Sequence, residues 1–262
     1  MLKKKKLEAV LPVDRFGHEL HFHKRIGSTN DEAKRLASDG AAHGTMVVAD
    51  EQTGGRGRAG RRWSTPPGSA VAMSLVLRPD DVSTAQIGEM TVLGALATVE
   101  ALERLGIQAW IKWPNDVLVS GGKAAGVLVE SGWMDGQLLY SVMGIGINVH
   151  KDSLRNKEKF DFPAACLDDE LGNKVERLEV IQQVLEALSD RYKQLGTGEL
   201  ITAWDRNLAY KDKTVRVSGE QMDSTGKLVG ITEQGQLRLQ LFSGEVLKIG
   251  VGGRQLRPVD RN

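Results

Sequence analysis

From Gly54 to Trp63 the chain reads Gly-Gly-Arg-Gly-Arg-Ala-Gly-Arg-Arg-Trp, a composition that no helix or strand interior holds well. Glycine lets a backbone come close to a ligand and gives up conformational entropy in doing so. Each arginine offers a planar fork of donors that matches carboxylate and phosphate. Trp63 ends the run with an aromatic face wide enough to stack on a base. The stretch therefore reads as a loop, mobile when empty, that closes over an anion. Two blander readings stand beside it: a Gly/Arg tract that binds nucleic acid, and a merely polar surface loop.

A second motif narrows the choice. Lys112-Trp113-Pro114-Asn115-Asp116 places a cation, an amide and a carboxylate around a proline that imposes extended or turn geometry. Lys123 follows within Gly121-Gly122-Lys123-Ala124-Ala125-Gly126. Alone, Asn115-Asp116 reads as a turn after Pro114. Together, an anion loop, a carboxylate able to take a metal and a second lysine indicate phosphate chemistry.

Charge and cysteine usage exclude several classes. Across 262 residues, 35 Lys and Arg stand against 34 Asp and Glu, so the basic excess of a dedicated nucleic-acid binder is missing. The single cysteine, Cys166, forbids an internal disulfide and suits a reducing compartment. No apolar stretch approaches the roughly 18 residues of a membrane span, and the segment after Lys3 to Lys6 is too charged for a signal peptide. The expectation is a cytoplasmic protein with neither DNA nor membrane as partner.

Taken in order, residues 1–19 show no strong period and read as an extension. Leu20 to Arg25 reads as an edge strand; His21 and His23 share a face but lack further ligands at metal spacing. At Ser28 a helix begins: Thr29 with Glu32 fits a capping box, and Gly40 a stop. Donors at such a start also receive polar ligand atoms, so Ser28 and Thr29 read both as caps and as contacts. Thr45–Asp50 and Ala70–Leu77 are apolar runs of strand length, joined at one end of a sheet by the arginine loop. Ser83–Leu105 is amphipathic, with Ile87, Met90, Leu93, Leu96, Val99 and Leu102 on the buried face.

From Val117 to Val149 the pattern is strand, turn, strand, strand, with turns at Gly121-Gly122 and Asp135-Gly136. Residues 151–172 are polar and irregular, and Cys166 among them has no assigned role. Val175–Leu195 and Glu199–Ala209 read as helices. After Lys211 the period changes to alternation, predicting strands at Thr214–Val217, Lys227–Thr232, Gln236–Leu241 and Glu245–Ile249, the spacing of a small barrel. The divisions that follow are 1–19, 20–210 and 211–262.

These motifs, in this order, resemble the catalytic domain of biotin protein ligases. The resemblance runs from about residue 25 to the C-terminus and rests on linked motifs: Ser28-Thr29-Asn30, Gly55 to Trp63, Lys112 to Asp116, Lys123 to Gly126, and Gly144-Ile145-Gly146-Ile147-Asn148. It implies an α+β fold, a mixed sheet like that of class II aminoacyl-tRNA synthetases with flanking helices, and a small SH3-like C-terminal barrel. It further implies two steps: biotin attacks the α-phosphorus of ATP, and a lysine of a biotin carboxyl carrier protein then displaces AMP.

By the same resemblance, biotin meets Ser28, Thr29, Asn30, Gln52, Gly55, Arg56, Gly57, Arg58, Lys123, Gly126, Gly144 and Gly146. ATP meets Arg58, Arg61, Trp63, Asn115, Lys123 and Asn148, and Asp116 holds Mg2+. Arg56, Arg58, Lys112 and Lys123 form the catalytic set, with Arg56 turned mainly to biotin and the adenylate linkage. Arg62 is left to the surface. Gly126, Gly144 and Gly146 are expected to let backbone approach the biotin rings, and Trp63 to cover adenine. Ala72 stands where many members carry an aromatic residue in the biotin pocket.

The segment before Ser28 is too short for the family's winged-helix repressor domain, so a monofunctional ligase is expected. Pairing of strand edges into a homodimer is also open. Two alternatives separate cleanly. A lipoate ligase would carry three consecutive glycines after paired arginines, which are not present. A nucleic-acid-binding module would lose affinity steeply with salt.

Overall fold

The computed structural model describes residues 2–9, 11, 16–78, 86–155, 162–219 and 222–259. Its strands are β1 (Leu20–His23), β2 (Met46–Ala49), β3 (Ala70–Leu77), β4 (Trp110–Lys112), β5 (Asp116–Val119), β6 (Gly122–Met134) and β7 (Gln137–Asn148), followed by β8 (Thr214–Gly219), β9 (Met222–Ile231), β10 (Leu237–Gln240), β11 (Val246–Ile249) and β12 (Gln255–Pro258). The helices are α1 (Lys4–Glu8), α2 (Thr29–Ser38), α3 (Ile87–Arg104), α4 (Leu167–Leu171), α5 (Arg177–Tyr192) and α6 (Glu199–Arg206). The first seven strands form one mixed sheet in the order β1-β2-β3-β7-β6-β5-β4, in which β1 and β2 run parallel. The last five form an antiparallel sheet in the order β11-β10-β9-β8-β12.

Alternation along the central strands decides what covers each face of the large sheet. Met46, Val48, Val71, Met73, Leu75, Met143 and Ile145 join the core of α3 and α5 through Met90, Leu93, Leu96, Ile181 and Leu185. The intervening Val47, Val76 and Val142 pack instead under Ala33 and Ala37 of α2. Because α2 is short, it covers only one end of that second face. Beyond it the strands carry small residues: Ser74 pairs with Gly144, and Ala72 with Gly146, which pairs in turn with Gly126. The face therefore hollows out beyond the N-terminus of α2, where Ser28, Thr29 and Asn30 line the opening.

Several expectations shift by a residue or more. The turn before β6 is Ser120-Gly121, both at positive φ, and Gly122 already belongs to the strand. No capping box forms at α2. Ser28 is the N-cap, the Thr29 hydroxyl donates to Gln52 Oε1, and Glu32 pairs with Arg35. The helix start placed at Ser83 lies outside the described residues. Residues 151–172 contain a 3-10 turn at Lys151–Leu154 and α4, and Cys166 is fully buried at the start of α4. Strand β12 was not expected, because Gln, Arg and Pro give it little β-propensity. Its pairing with β8 supplies the fold that its side chains do not advertise.

Among the described residues no helix is long and apolar enough to cross a membrane. One buried ion pair ties the helical layer to the sheet. Arg177 of α5 donates to Asp50 at 2.7 Å and to the Ala70 carbonyl at 3.1 Å, with both charged side chains only 4% exposed. Removing one partner of such a pair strands the other in low dielectric. Arg177→Ala should therefore cost about 3–5 kcal/mol in urea unfolding, and the double variant Arg177→Ala/Asp50→Ala should recover part of it. A loss below about 1 kcal/mol would place the pair with ordinary exposed bridges.

Candidate active site

The hollow face opens into a cavity of about 590 Å³. Its lining brings together every residue singled out from the sequence: Ser28, Thr29, Asn30 and Gln52; Gly55, Arg56, Gly57, Arg58, Arg61 and Trp63; Lys112, Asn115 and Asp116; Lys123, Gly126, Gly144, Gly146 and Asn148. Arg62, left to the surface by the sequence, lines it too. Ala72 continues the row of small residues but does not line the cavity.

The arginine loop is more regular than its composition suggests. Trp63 N donates to Gly55 O at 2.9 Å and Gly57 N to Arg61 O at 2.7 Å, so two short arms pair around an Arg58–Gly60 turn. Gly60 sits at φ 72°, in the left-handed region that glycine enters without steric penalty. The loop is thus a small hairpin laid over the pocket.

Behind it lies the electrostatic centre. Asp116, at the start of β5, accepts from Lys112 Nζ at 2.9 Å and from Lys123 Nζ at 2.5 Å, one ammonium on each oxygen. Burial works against its charge, but the ammoniums of Lys123 and Lys112 outweigh that and hold the carboxyl at about 2. Burial pulls the Lys112 ammonium below its usual value, with Asp116 opposing. Burial likewise lowers the Arg58 guanidinium, which Asp116 partly offsets. Cations held this dry gain more from an arriving anion than solvated ones would.

This geometry corrects the metal assignment. Both Asp116 oxygens already accept from ammoniums, and Arg58 adds a third nearby positive charge. A dication bonded there would face repulsion from all of them. No group of three or more His, Cys, Asp or Glu suited to a metal occurs among the described residues. Asp116 and its neighbours do not fit a resident Mg2+ site.

Three further assignments change. Arg56 is already engaged by carboxylates of the chain itself. Its guanidinium is bidentate on Asp31, at 2.5 and 2.7 Å, and also donates to Glu130 at 3.1 Å. Gly144 gives room to a side chain rather than to ligand rings, because a Cβ there would overlap Asn30 Oδ1. At Gly146 a Cβ would overlap the Trp63 indole, which lies inside the cavity with Lys123 Nζ 5.4 Å from its ring centre. The indole N–H is buried and finds no hydrogen-bond partner among the described residues, so it is a donor waiting for an acceptor.

The neutral end is knitted from amides and hydroxyls. Gln52 Oε1 accepts from Thr29 N and Oγ1 at 2.8 and 3.1 Å, and Ser74 Oγ donates to Asn30 Oδ1 at 2.6 Å. Asn115 Nδ2 donates to Val127 O at 2.7 Å, and Asn148 Nδ2 to the carbonyls of Lys123 and Ala165. Both amides therefore fix backbone around the pocket.

The chain is similar to known proteins. A model of the Biotin/lipoate A/B protein ligase family matches residues 22–148. The bifunctional ligase/repressor BirA of Bacillus subtilis is 35% identical over 244 residues, covering 89% of this chain and 73% of that protein. The biotin--[acetyl-CoA-carboxylase] ligase of Paracoccus denitrificans is 33% identical and is covered over 95% of its length. The biotin protein ligase of Aquifex aeolicus, solved in complex with biotin and ATP, superposes with a TM-score of 0.77 at 30% identity, over 92% of this chain and 100% of that one. The chain belongs to the biotin protein ligase family.

Sequence reasoning missed a third wall of this ligase's cavity. Arg254, Gln255 and Arg257 reach it from the β11–β12 turn and β12, and Phe162 from the segment before α4. Phe162 lies between two cations, with Lys112 Nζ 4.9 Å and the Arg257 guanidinium 5.2 Å from its ring centre. Arg58 donates to Gly252 O at 3.2 Å, and Trp113, fully buried, donates its indole N–H to Gly235 O at 3.2 Å. The Gly-Gly-Arg run at 252–254 is the sequence signal for this wall, and the strand that follows it carries little β-propensity of its own.

Two outcomes follow. Gly146→Ala should raise the ATP KM sharply in the presence of Trp63 and have little further effect in a Trp63→Ala background; equal effects in both backgrounds would detach the glycine from the indole. A carboxylate depressed in the folded state adds stability above its unfolded pKa of about 4 and loses it as pH falls. The pH slope of urea-unfolding stability between about 4 and 2 should therefore be shallower in Asp116→Asn than in the wild type. Identical slopes would show Asp116 titrating normally.

Proposed function

We propose that this cavity carries out both half-reactions of an ATP-dependent biotin protein ligase. A biotin carboxylate oxygen attacks the α-phosphorus of ATP and pyrophosphate leaves. A lysine amine of a biotin carboxyl carrier protein then attacks the acyl carbon and AMP leaves. The first step must bring two anions together, and the observation that carries the reading is the pair of ammoniums held on the buried Asp116 carboxylate beside Arg58.

Lys123, 27% exposed where Lys112 is 4%, is the ammonium that can reach both carboxylate and α-phosphate. Lys112 holds Asp116 in place from below. Arg58 and Arg61 take phosphate oxygens, each charge-assisted bond being worth roughly 1.5–3 kcal/mol. The Ser28–Asn30 corner and Gln52 offer matched donors and acceptors to a neutral ureido ring, and the Trp63 indole N–H finds its acceptor on the nucleotide. Magnesium, which the family resemblance implies, then belongs with the triphosphate and not with Asp116. The hairpin over the pocket shields the reactive adenylate from water. We read the large sheet as of the class II synthetase type and the five-stranded sheet as SH3-like, with the boundary near Tyr210.

Exchange of labelled pyrophosphate into ATP tests the first half-reaction. Exchange should require biotin and be unsupported by lipoate, and Arg58→Ala and Lys123→Ala should each slow it by about 10²–10³ while folding stays intact. Exchange driven by lipoate alone would overturn the substrate, and full rates in both variants would remove those cations from the chemistry.

A further inference from the structure

Arg56, although it lines the cavity, spends its guanidinium on two carboxylates. Asp31, in the first turn of α2, receives both of its terminal nitrogens, and Glu130 of β6 receives one of them again. Lys34, one turn along α2, contacts the same two carboxylates, Glu130 at 3.0 Å and Asp31 at 3.3 Å. Asn30 Nδ2 donates to Glu130 Oε2 at 2.8 Å, which links the cluster to the Ser74–Thr29–Gln52 network. Two anions and two cations thus join the hairpin to the helix and to the strand that carries Lys123.

We propose that Asp31 and Glu130 are positioning residues that grip Arg56 and so hold the arginine hairpin preorganised over the pocket before ligand arrives. The assignment rests on the cavity being the biotin and ATP site, and it adds a role for three charged side chains that touch no reacting atom. The Arg56 hydrogen bonds hold Asp31 below the usual carboxylate range. At Glu130 burial opposes ionisation, yet Asn30, Lys34 and Arg56 keep the carboxyl low, so both anions stay charged across the working pH range. An isolated exposed pair contributes little, but bidentate geometry within a network is the case in which exposed pairs count. Preorganisation of this kind appears as ligand affinity rather than as chemical rate.

Biotin affinity by calorimetry and saturated pyrophosphate-exchange rates are measured for the full chain, Asp31→Asn, Glu130→Gln and the double variant. Each single variant should weaken biotin binding roughly threefold and the double about tenfold, with the saturated rate unchanged within about twofold. Asp31→Glu should restore most of the affinity. The difference from wild type should shrink in about 1 M salt, where exposed charges are screened, whereas a packing defect would persist. In the absence of ligand, trypsin should cut after Arg58, Arg61 and Arg62 faster in the double variant than in wild type. Unchanged affinity in the double variant, or a saturated rate that collapses as in Arg58→Ala, would overturn the role. Failure of the wild type itself to bind biotin would instead sink the reading of the cavity.

Discussion

A carboxylate sealed from water between two ammoniums is the interaction on which the site depends. Asp116 brings one negative charge to a place where Lys112, Lys123 and Arg58 bring three positive ones. The balance stays positive, so the cluster is held together and still attracts anions. Without the carboxylate, Lys112 would be an uncompensated buried cation and would shed its proton. The carboxylate also fixes where the Lys123 ammonium stands, and fixed charge in a dry site is the preorganisation that electrostatic catalysis requires.

The sheet supplies the room for this cluster. The strand period of two sends Met73, Met143 and Ile145 into the α3 and α5 core and leaves Ser74, Gly144 and Gly146 on the opposite face. At the N-terminus of α2 only small residues rise from that face, and Asn30 and Trp63 lie over the two glycines. The hollow is therefore made by small residues at alternate positions and by a helix that begins at its edge. Residues from the five-stranded sheet close it, with Arg58 donating to Gly252 and Trp113 to Gly235.

Much of this was legible in the chain. The apolar runs at Thr45–Asp50 and Ala70–Leu77 and the helix end at Leu105 fell within a few residues of β2, β3 and the end of α3, because buried strands and amphipathic helices write their periods plainly. Clustering of the motif residues in one cavity followed from the resemblance to biotin protein ligases, whereas the residues by themselves indicated only a cationic loop, a carboxylate and a lysine. Their individual roles were not legible, because Arg56 and Arg58 look alike in sequence and only partners 25 or more residues away distinguish them. The same holds for Asp116, whose oxygens look free until Lys112 and Lys123 are placed. Strand β12 was invisible because long-range pairing with β8, not composition, makes it a strand.

The central claim is that Asp116 acts through the lysines it holds. A double-mutant cycle with Asp116→Asn and Lys123→Met, read as the single-turnover rate of adenylate formation, tests it most directly. The two losses should be strongly non-additive, with Asp116→Asn costing little once Lys123 is gone. Losses that simply add would show Asp116 working independently of Lys123, and would contradict the account.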